Sequence, residues 1–175
     1  MSFDPIHILI IVAGALGFYA FQVKGRRKML SCKCGADSIY ALYLFGLGGT
    51  TGAMGACIAA FGGAIQVVTP PHMMKKTLPY RFVIACALSV AGAYFLSRNM
   101  TDVYPFIGVI ISRFVELFHS TLILRLGFFC ASVPWLVYNY SNGFYLAMVA
   151  GLLMMAGMLL GMFKNERRLP KDPVP

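Results

Sequence analysis

Residues 38–68 read SIYALYLFGLGGTTGAMGACIAAFGGAIQVV, thirty-one positions without a charged side chain. One helix of that length would run about 46 Å at ~1.5 Å per residue, far beyond the ~30 Å of a bilayer's hydrocarbon core. The middle of the stretch supplies a break, Gly46-Leu47-Gly48-Gly49-Thr50-Thr51-Gly52. Clustered glycines admit a tight turn, and each lowers helix propensity by about 1 kcal/mol. The run therefore divides into a short second helix, Ala36–Leu47, and a third, Thr51–Val68, with Asp37-Ser38 placed to cap the second at its N-terminus. Whether this stretch is one span or two fixes the sidedness of everything after it.

Upstream, Ile6–Val23 is an apolar segment with Asp4 where a signal peptide would carry a cation, so it reads as a retained first helix. A basic loop follows, holding Lys24, Arg26, Arg27, Lys28 and Lys33. Downstream, Thr69-Pro70-Pro71 ends the third helix, since proline cannot continue it, and His72 to Lys76 forms a connection. The fourth helix is Leu78–Ser97, with Pro79 in its first turn. A loop from Arg98 to Asp102 leads to a fifth helix, Tyr104–Leu117. The sixth is Leu122–Tyr140; Asn139-Tyr140-Ser141-Asn142-Gly143 makes a turn, and the seventh is Phe144–Phe163. The segment from Lys164 to Pro175 reads as an unpacked tail.

Composition agrees. The 175 residues are 59% hydrophobic and only 12% charged, with a mean hydropathy of +0.74. A soluble domain averages about 25% charged residues, and this chain has too little polar surface for a water-facing shell. Disordered chains, nucleic-acid-binding domains and secreted disulfide scaffolds are excluded. The net charge of +9 then reads as topology, because basic residues flank membrane helices on the cytoplasmic side. With the N-terminus outside, fourteen of the fifteen basic residues fall on the inner side and only Arg98 lies outside. A six-helix count breaks that pattern. The expectation is an all-α, polytopic membrane protein with seven transmembrane helices, N-out and C-in.

The spans group as three, one and three. Residues 1–69 form a first triple-helix bundle, 70–102 a linker helix with its flanking loops, 103–163 a second bundle and 164–175 a cytoplasmic tail. In each triplet a polar or basic connection precedes a very short turn: Gln22–Lys33 corresponds to Arg113–Arg125, and Gly48–Gly52 to Asn139–Gly143. One odd helix between the triplets keeps both in the same orientation, which is a parallel repeat. In that plan solutes bind near the midplane where the repeats meet.

The chain resembles the YgjV-type family of bacterial inner membrane proteins, and through it the SWEET, PQ-loop and nicotinamide riboside (PnuC-type) transporters of three-one-three architecture. The first-half residues that carry the likeness are Phe21-Gln22-x-Lys24-x-Arg26-Arg27-Lys28-x-Leu30 and Leu44-Phe45-Gly46-x-x-x-Thr50-Thr51-Gly52-Ala53. In the second half they are Pro105-x-Ile107-Gly108, Ser112, Arg125 and Trp135-Leu136-Val137-Tyr138-Asn139, followed by Gly143. The family usually places an Asn and an Arg in the third helix, where Ile58 and Phe61 stand here, and there is no Pro-Gln pair of the PQ-loop kind. The resemblance implies a fold and an inner-membrane location, not a substrate.

Two constellations carry chemistry. Trp135, Tyr138 and Asn139 lie within about one turn just after Pro134. An amide is costly in hydrocarbon without partners, and a Trp ring beside it offers a face for a sugar or nucleoside. The competing reading is an aromatic belt with Asn139 capping its helix. Arg113 and Glu116 are spaced i,i+3 and can pair; with Arg125 they form an inner gate or an anion contact, or else anchor the inner interface by snorkelling. His119 is a lone titratable neighbour. Cys32-Lys33-Cys34 lacks a second ligand pair for a metal, and Cys57, Cys86 and Cys130 read as packing. Gly55-x-x-x-Ala59-x-x-x-Gly63, Ala147-x-x-x-Gly151 and Gly157-x-x-x-Gly161 permit close helix approach within the bundle or across a homodimer face.

No catalytic arrangement, cofactor or metal is expected. The first functional expectation is a facilitator for a small polar solute, with a pocket between the bundles lined by Trp135, Tyr138, Asn139 and Ser112. The second is a non-transporting accessory or scaffold protein that binds a partner membrane protein or anionic lipid through Lys24–Lys33.

Overall fold

The computed structural model describes residues 5–118 and 120–166. Among these the chain forms seven α-helices and one 3-10 turn: α1 (Ile6–Gln22), α2 (Arg26–Gly46), α3 (Thr50–Val68), α4 (Pro71–Leu96), the turn Met100–Val103, α5 (Tyr104–Val115), α6 (Thr121–Ser141) and α7 (Tyr145–Glu166).

The long apolar run does break, between Gly46 and Thr50. Gly48 takes a φ of 79°, which lets the chain fold back onto the end of α2 and satisfy its last carbonyls. The N–H of Leu47 donates to Tyr43 O at 3.2 Å, Gly48 to Phe45 O at 3.0 Å and Gly49 to Leu44 O at 2.8 Å. The junction of α6 and α7 repeats this bond for bond. Asn142 donates to Tyr138 O, Gly143 (φ 74°) to Tyr140 O, and Phe144 to Asn139 O at 2.8 Å. Both helices that lead into these turns have 21 residues. The register sets Gly48 against Gly143, so Gly46–Gly49 corresponds to Ser141–Phe144, and Gly48–Gly52 to residues 143–147 rather than to Asn139–Gly143.

Two helices begin earlier than the sequence suggests. The second starts at Arg26, not Ala36, so the supposed basic loop is its first turns. Cations are disfavoured at a helix N-terminus, which is why this segment reads as loop. In the fold Arg27 donates through Nε and Nη2 to Val67 O, at 2.9 and 2.6 Å. Arg26 donates to Glu116 O at 2.6 Å and to Phe118 O. Both side chains thus serve the ends of neighbouring helices. Asp37 and Ser38 consequently lie inside α2 and cap nothing. The fourth helix starts at Pro71 instead of Leu78, so His72–Lys76 is helical and not a connection. Proline fits a first helical position because its missing N–H needs no partner there.

Helix α1 packs against α2 and α7, α2 against α3, α5 against α6, and α6 against α7. Helices α1–α3 and α5–α7 meet along α1–α7 and α3–α5, closing a ring. Helix α4 sits outside it, against α3 and α5, with Tyr80, Val83, Ile84, Tyr94 and Phe95 exposed. An exterior of bare aliphatic and aromatic side chains suits a lipid solvent. Residues 50–68, 76–96, 121–141 and 145–164 are long and apolar enough to cross a membrane. Helix α1 is apolar but 17 residues long, α2 carries charges in its first half, and the 12 residues of α5 reach only about 18 Å.

One core cluster lies at the turn end, around Ile10, Tyr43, Leu44, Tyr138 and Ala147. A second lies at the basic end, around Phe21, Leu30, Leu124, Phe128 and Met158. The small-residue faces are used inside the bundle: Gly157 lies against Phe18, Gly63 against Cys34, and Gly55 against Trp135 and Pro105.

A Cβ at Gly48 or Gly143 would touch nothing within 4 Å, so substitution there tests backbone conformation alone. Gly48→Ala and Gly143→Ala should each cost about 1–2 kcal/mol, read as a lower thermal midpoint in detergent.

Candidate functional site

Between the two core clusters the ring encloses a cavity of about 70 Å³. That is room for a few water molecules. Its polar wall comes mainly from α2 and α6. On α2, Lys33 Nζ lies 2.5 Å from Asp37 Oδ2, an i,i+4 pair whose side chains are 16% and 18% exposed. The same ammonium sits 5.1 Å from the centre of the Phe128 ring, a cation–π distance. One turn further on, the Tyr40 hydroxyl donates to Asn139 Oδ1 at 2.9 Å. Tyr40 also meets Trp135 edge-on, with ring centres 5.5 Å apart. Gly108 of α5 gives the indole its place, since a Cβ there would come within 2.7 Å of Trp135 Nε1.

Of the four residues expected to line a pocket, Trp135, Asn139 and Ser112 do so. Ser112 turns its hydroxyl back to Val109 O at 2.7 Å, and Ser132 on the same wall donates to Phe128 O at 2.8 Å. Asn139 is 1% exposed, so it is interior; Asn142 occupies the C-cap of α6. Tyr138 is placed differently. Adjacent helix positions point about 100° apart, and Tyr138 faces the turn end of α3. Its hydroxyl accepts the Gly52 N–H at 3.1 Å and lies 3.2 Å from Thr51 Oγ1, which is itself 3.4 Å from Asp102 Oδ1. Asp102 in turn accepts the N–H groups of Arg98 and Asn99. Tyr138 therefore fastens α6 to α3 and does not line the cavity.

Arg113 and Glu116 do pair, Nη2 to Oε1 at 2.7 Å, with side chains 4% and 1% exposed. They face away from the central cavity, into a chamber between α3, α4 and α5. Gln66 donates to the other oxygen of Glu116. Arg125 is also buried, at 2% exposure, and reaches Val23 O at 3.4 Å at the end of α1. These three residues do not converge on one site. His119 lies outside the described residues. The sequence reading missed Lys33, Asp37 and Tyr40 as cavity residues. The signal was the i,i+4 spacing of Lys33 and Asp37, hidden by starting the helix ten positions too late.

The model of the Imp-YgjV family, described as bacterial inner membrane protein, matches residues 5–168. No curated protein and no solved structure matches the chain significantly.

The Tyr138 hydroxyl serves the buried N–H of Gly52. Tyr138→Phe should destabilise the protein by about 1–3 kcal/mol, whereas Ser132→Ala on the cavity wall should leave the unfolding midpoint within about 0.5 kcal/mol.

Proposed function

The chain belongs to the Imp-YgjV family of bacterial inner membrane proteins, and from that premise we propose that it carries a small polar solute across the membrane by alternating access. The observation that bears most weight is the polar lining of the central cavity. An ion pair, Lys33–Asp37, and a hydrogen-bonded pair, Tyr40–Asn139, stand between two apolar clusters. Charges within a membrane interior are costly and mark pathways. If Tyr40–Asn139 served only to hold α2 and α6 together, apolar side chains would do so at lower cost, and Lys33–Asp37 lies within α2 and joins no two helices. Donors and acceptors of both senses beside two aromatic rings suit a solute with several polar groups, such as a sugar, a nucleoside or a zwitterion. Loosening either apolar cluster would open the cavity to one side.

Seven spans in two parallel triplets is the architecture this reading takes, with α4 as linker and the 3-10 turn lengthening α5. The matched turns at Gly48 and Gly143 support it. So does the contact pattern, since α1–α7 and α3–α5 are the junctions a two-fold relation between triplets requires. The basic end, where Lys24, Arg26, Arg27, Lys28, Arg81 and Lys164 gather, is then cytoplasmic. An accessory role exercised through the basic segment draws less support. Arg26 and Lys33 are engaged inside the protein, which leaves Lys24, Lys28 and Arg27 exposed, the last bonded to Val67 O.

Purified protein screened by thermal shift against sugars, nucleosides, vitamins and zwitterions should be stabilised by at least one class. Asn139→Leu and Asp37→Asn should each abolish that shift and the matching uptake while membrane expression persists. Undiminished uptake by Asn139→Leu would remove the cavity from the mechanism.

A further inference from the structure

The chamber between α3, α4 and α5 is distinct from the central cavity and has a different character. Its volume is about 120 Å³, and its wall includes Gly62, Gln66, Arg81, Arg113 and Glu116. Four charged groups meet at or beside it: Arg81 and Arg113 on the wall, Arg26 behind Gln66 at 3.5 Å, and Glu116. The single carboxylate is already served by Arg113 Nη2 and by Gln66. The guanidinium groups are served only in part. Among the described residues, Arg113 Nε and Nη1, Arg81 Nη1 and Arg26 Nε are buried without a hydrogen-bond partner. The Arg113 side chain is 4% exposed. An unpaired N–H on a buried guanidinium carries most of its desolvation cost, and three arginines against one carboxylate leave a surplus of two positive charges.

Local packing holds this arrangement. The Arg113 guanidinium lies against Gly62, where a Cβ would collide with it. Arg81 is oriented by Thr69, whose Oγ1 accepts from Nη2 at 2.5 Å while donating to Ile65 O at 2.6 Å. The far nitrogen, Nη1, is thereby left over. The mouth of the chamber lies on the outer surface of the ring, where Phe61 (64% exposed) and Ile84 (57% exposed) flank it.

From these observations we infer that the α3–α4–α5 chamber is a binding site for a phosphate-type oxyanion, held by Arg81 and Arg113. Guanidinium groups meet phosphate with paired, charge-assisted hydrogen bonds, and an oxyanion is the ligand that would use the unpartnered nitrogens while balancing the surplus charge. Such a group is found free in solution or as the headgroup of an anionic lipid. The apolar mouth suits the second source, since acyl chains would lie on Phe61 and Ile84.

The test uses the full chain. In detergent, inorganic phosphate is titrated against chloride at equal ionic strength while the unfolding midpoint is followed. In nanodiscs, phosphatidylglycerol is compared with phosphatidylcholine. Phosphate-specific stabilisation in detergent, or stabilisation specific to phosphatidylglycerol, supports the site if Arg81→Gln weakens it at least tenfold. Response to phosphate alone identifies a free oxyanion, and a response to phosphatidylglycerol identifies the headgroup. Arg81→Gln leaves the Arg113–Glu116 pair intact and so should remain folded; Arg81→Lys, which keeps a charge but loses the fork, should recover only part of the affinity. Equal midpoints in phosphate and chloride together with equal midpoints in the two lipids overturn the inference. So does any stabilisation that Arg81→Gln leaves unchanged.

Discussion

A helix that ends within a bundle leaves up to four carbonyls without partners, and hydrocarbon offers no water to take them. At the basic end of this protein that requirement is met by arginine. Arg27 satisfies the last turn of α3 through Val67 O, Arg26 the end of α5 through Glu116 O and Phe118 O, and Arg125 the end of α1 through Val23 O. Each side chain comes from the first turns of α2 or α6 and crosses to a different helix. The basic residues thus have two physical reasons to gather at one end. Basic residues flank membrane helices in general, and here they also close helix termini that would otherwise expose bare acceptors.

The ring also separates its polar groups into compartments with unlike logic. Around the central cavity every strong group has a partner: Lys33 has Asp37, and Tyr40 has Asn139. Such a site is neutral overall and can exchange internal hydrogen bonds for bonds to a solute at little net cost. The lateral chamber is unbalanced, with guanidinium nitrogens left over. It is suited to hold an anion rather than to pass one on, because a charged ligand that completes an unbalanced site leaves slowly. The two do not share a wall residue, so an occupant of the chamber would touch the α3–α4–α5 packing without entering the central cavity.

Much of the architecture was legible because glycine and proline punctuate it. The break at Gly46–Thr50, the turn at Gly143 and the stop at Thr69-Pro70 follow from backbone conformational preference alone, and α1, α3, α6 and α7 fall within a few residues of expectation. What failed was the start of α2 and of α4. Both segments contradict local rules: cations at a helix N-terminus in one, two consecutive prolines in the other. Only tertiary partners, the carbonyls of Val67, Glu116 and Phe118, make Arg26–Lys33 a good helix. The site inherits that error. Asn139 and Trp135 were identifiable because a polar or indole group in an apolar run demands an interior partner. Lys33 and Asp37 were hidden once their segment was read as loop and cap. Tyr138 was drawn into the pocket by its place in the sequence, although one step along a helix turns a side chain to another face.

The two turns that match in register also set α2 against α6 residue by residue. Tyr40 then corresponds to Trp135, Asp37 to Ser132, Lys33 to Phe128 and Leu44 to Asn139. The backbone bonds are the same at both turns, while the side chains at the cavity differ at nearly every position. Alanine persists at Ala36 and Ala131, and aromatic character at Tyr40 and Trp135, the pair that touches across the junction. A scaffold with related halves would offer a solute two equivalent orientations if its linings matched. Here α2 supplies the charges and α6 the amide and the indole, so the two linings do not match. The divergence lies where a bound molecule would be read, and the sameness lies where the chain only has to turn.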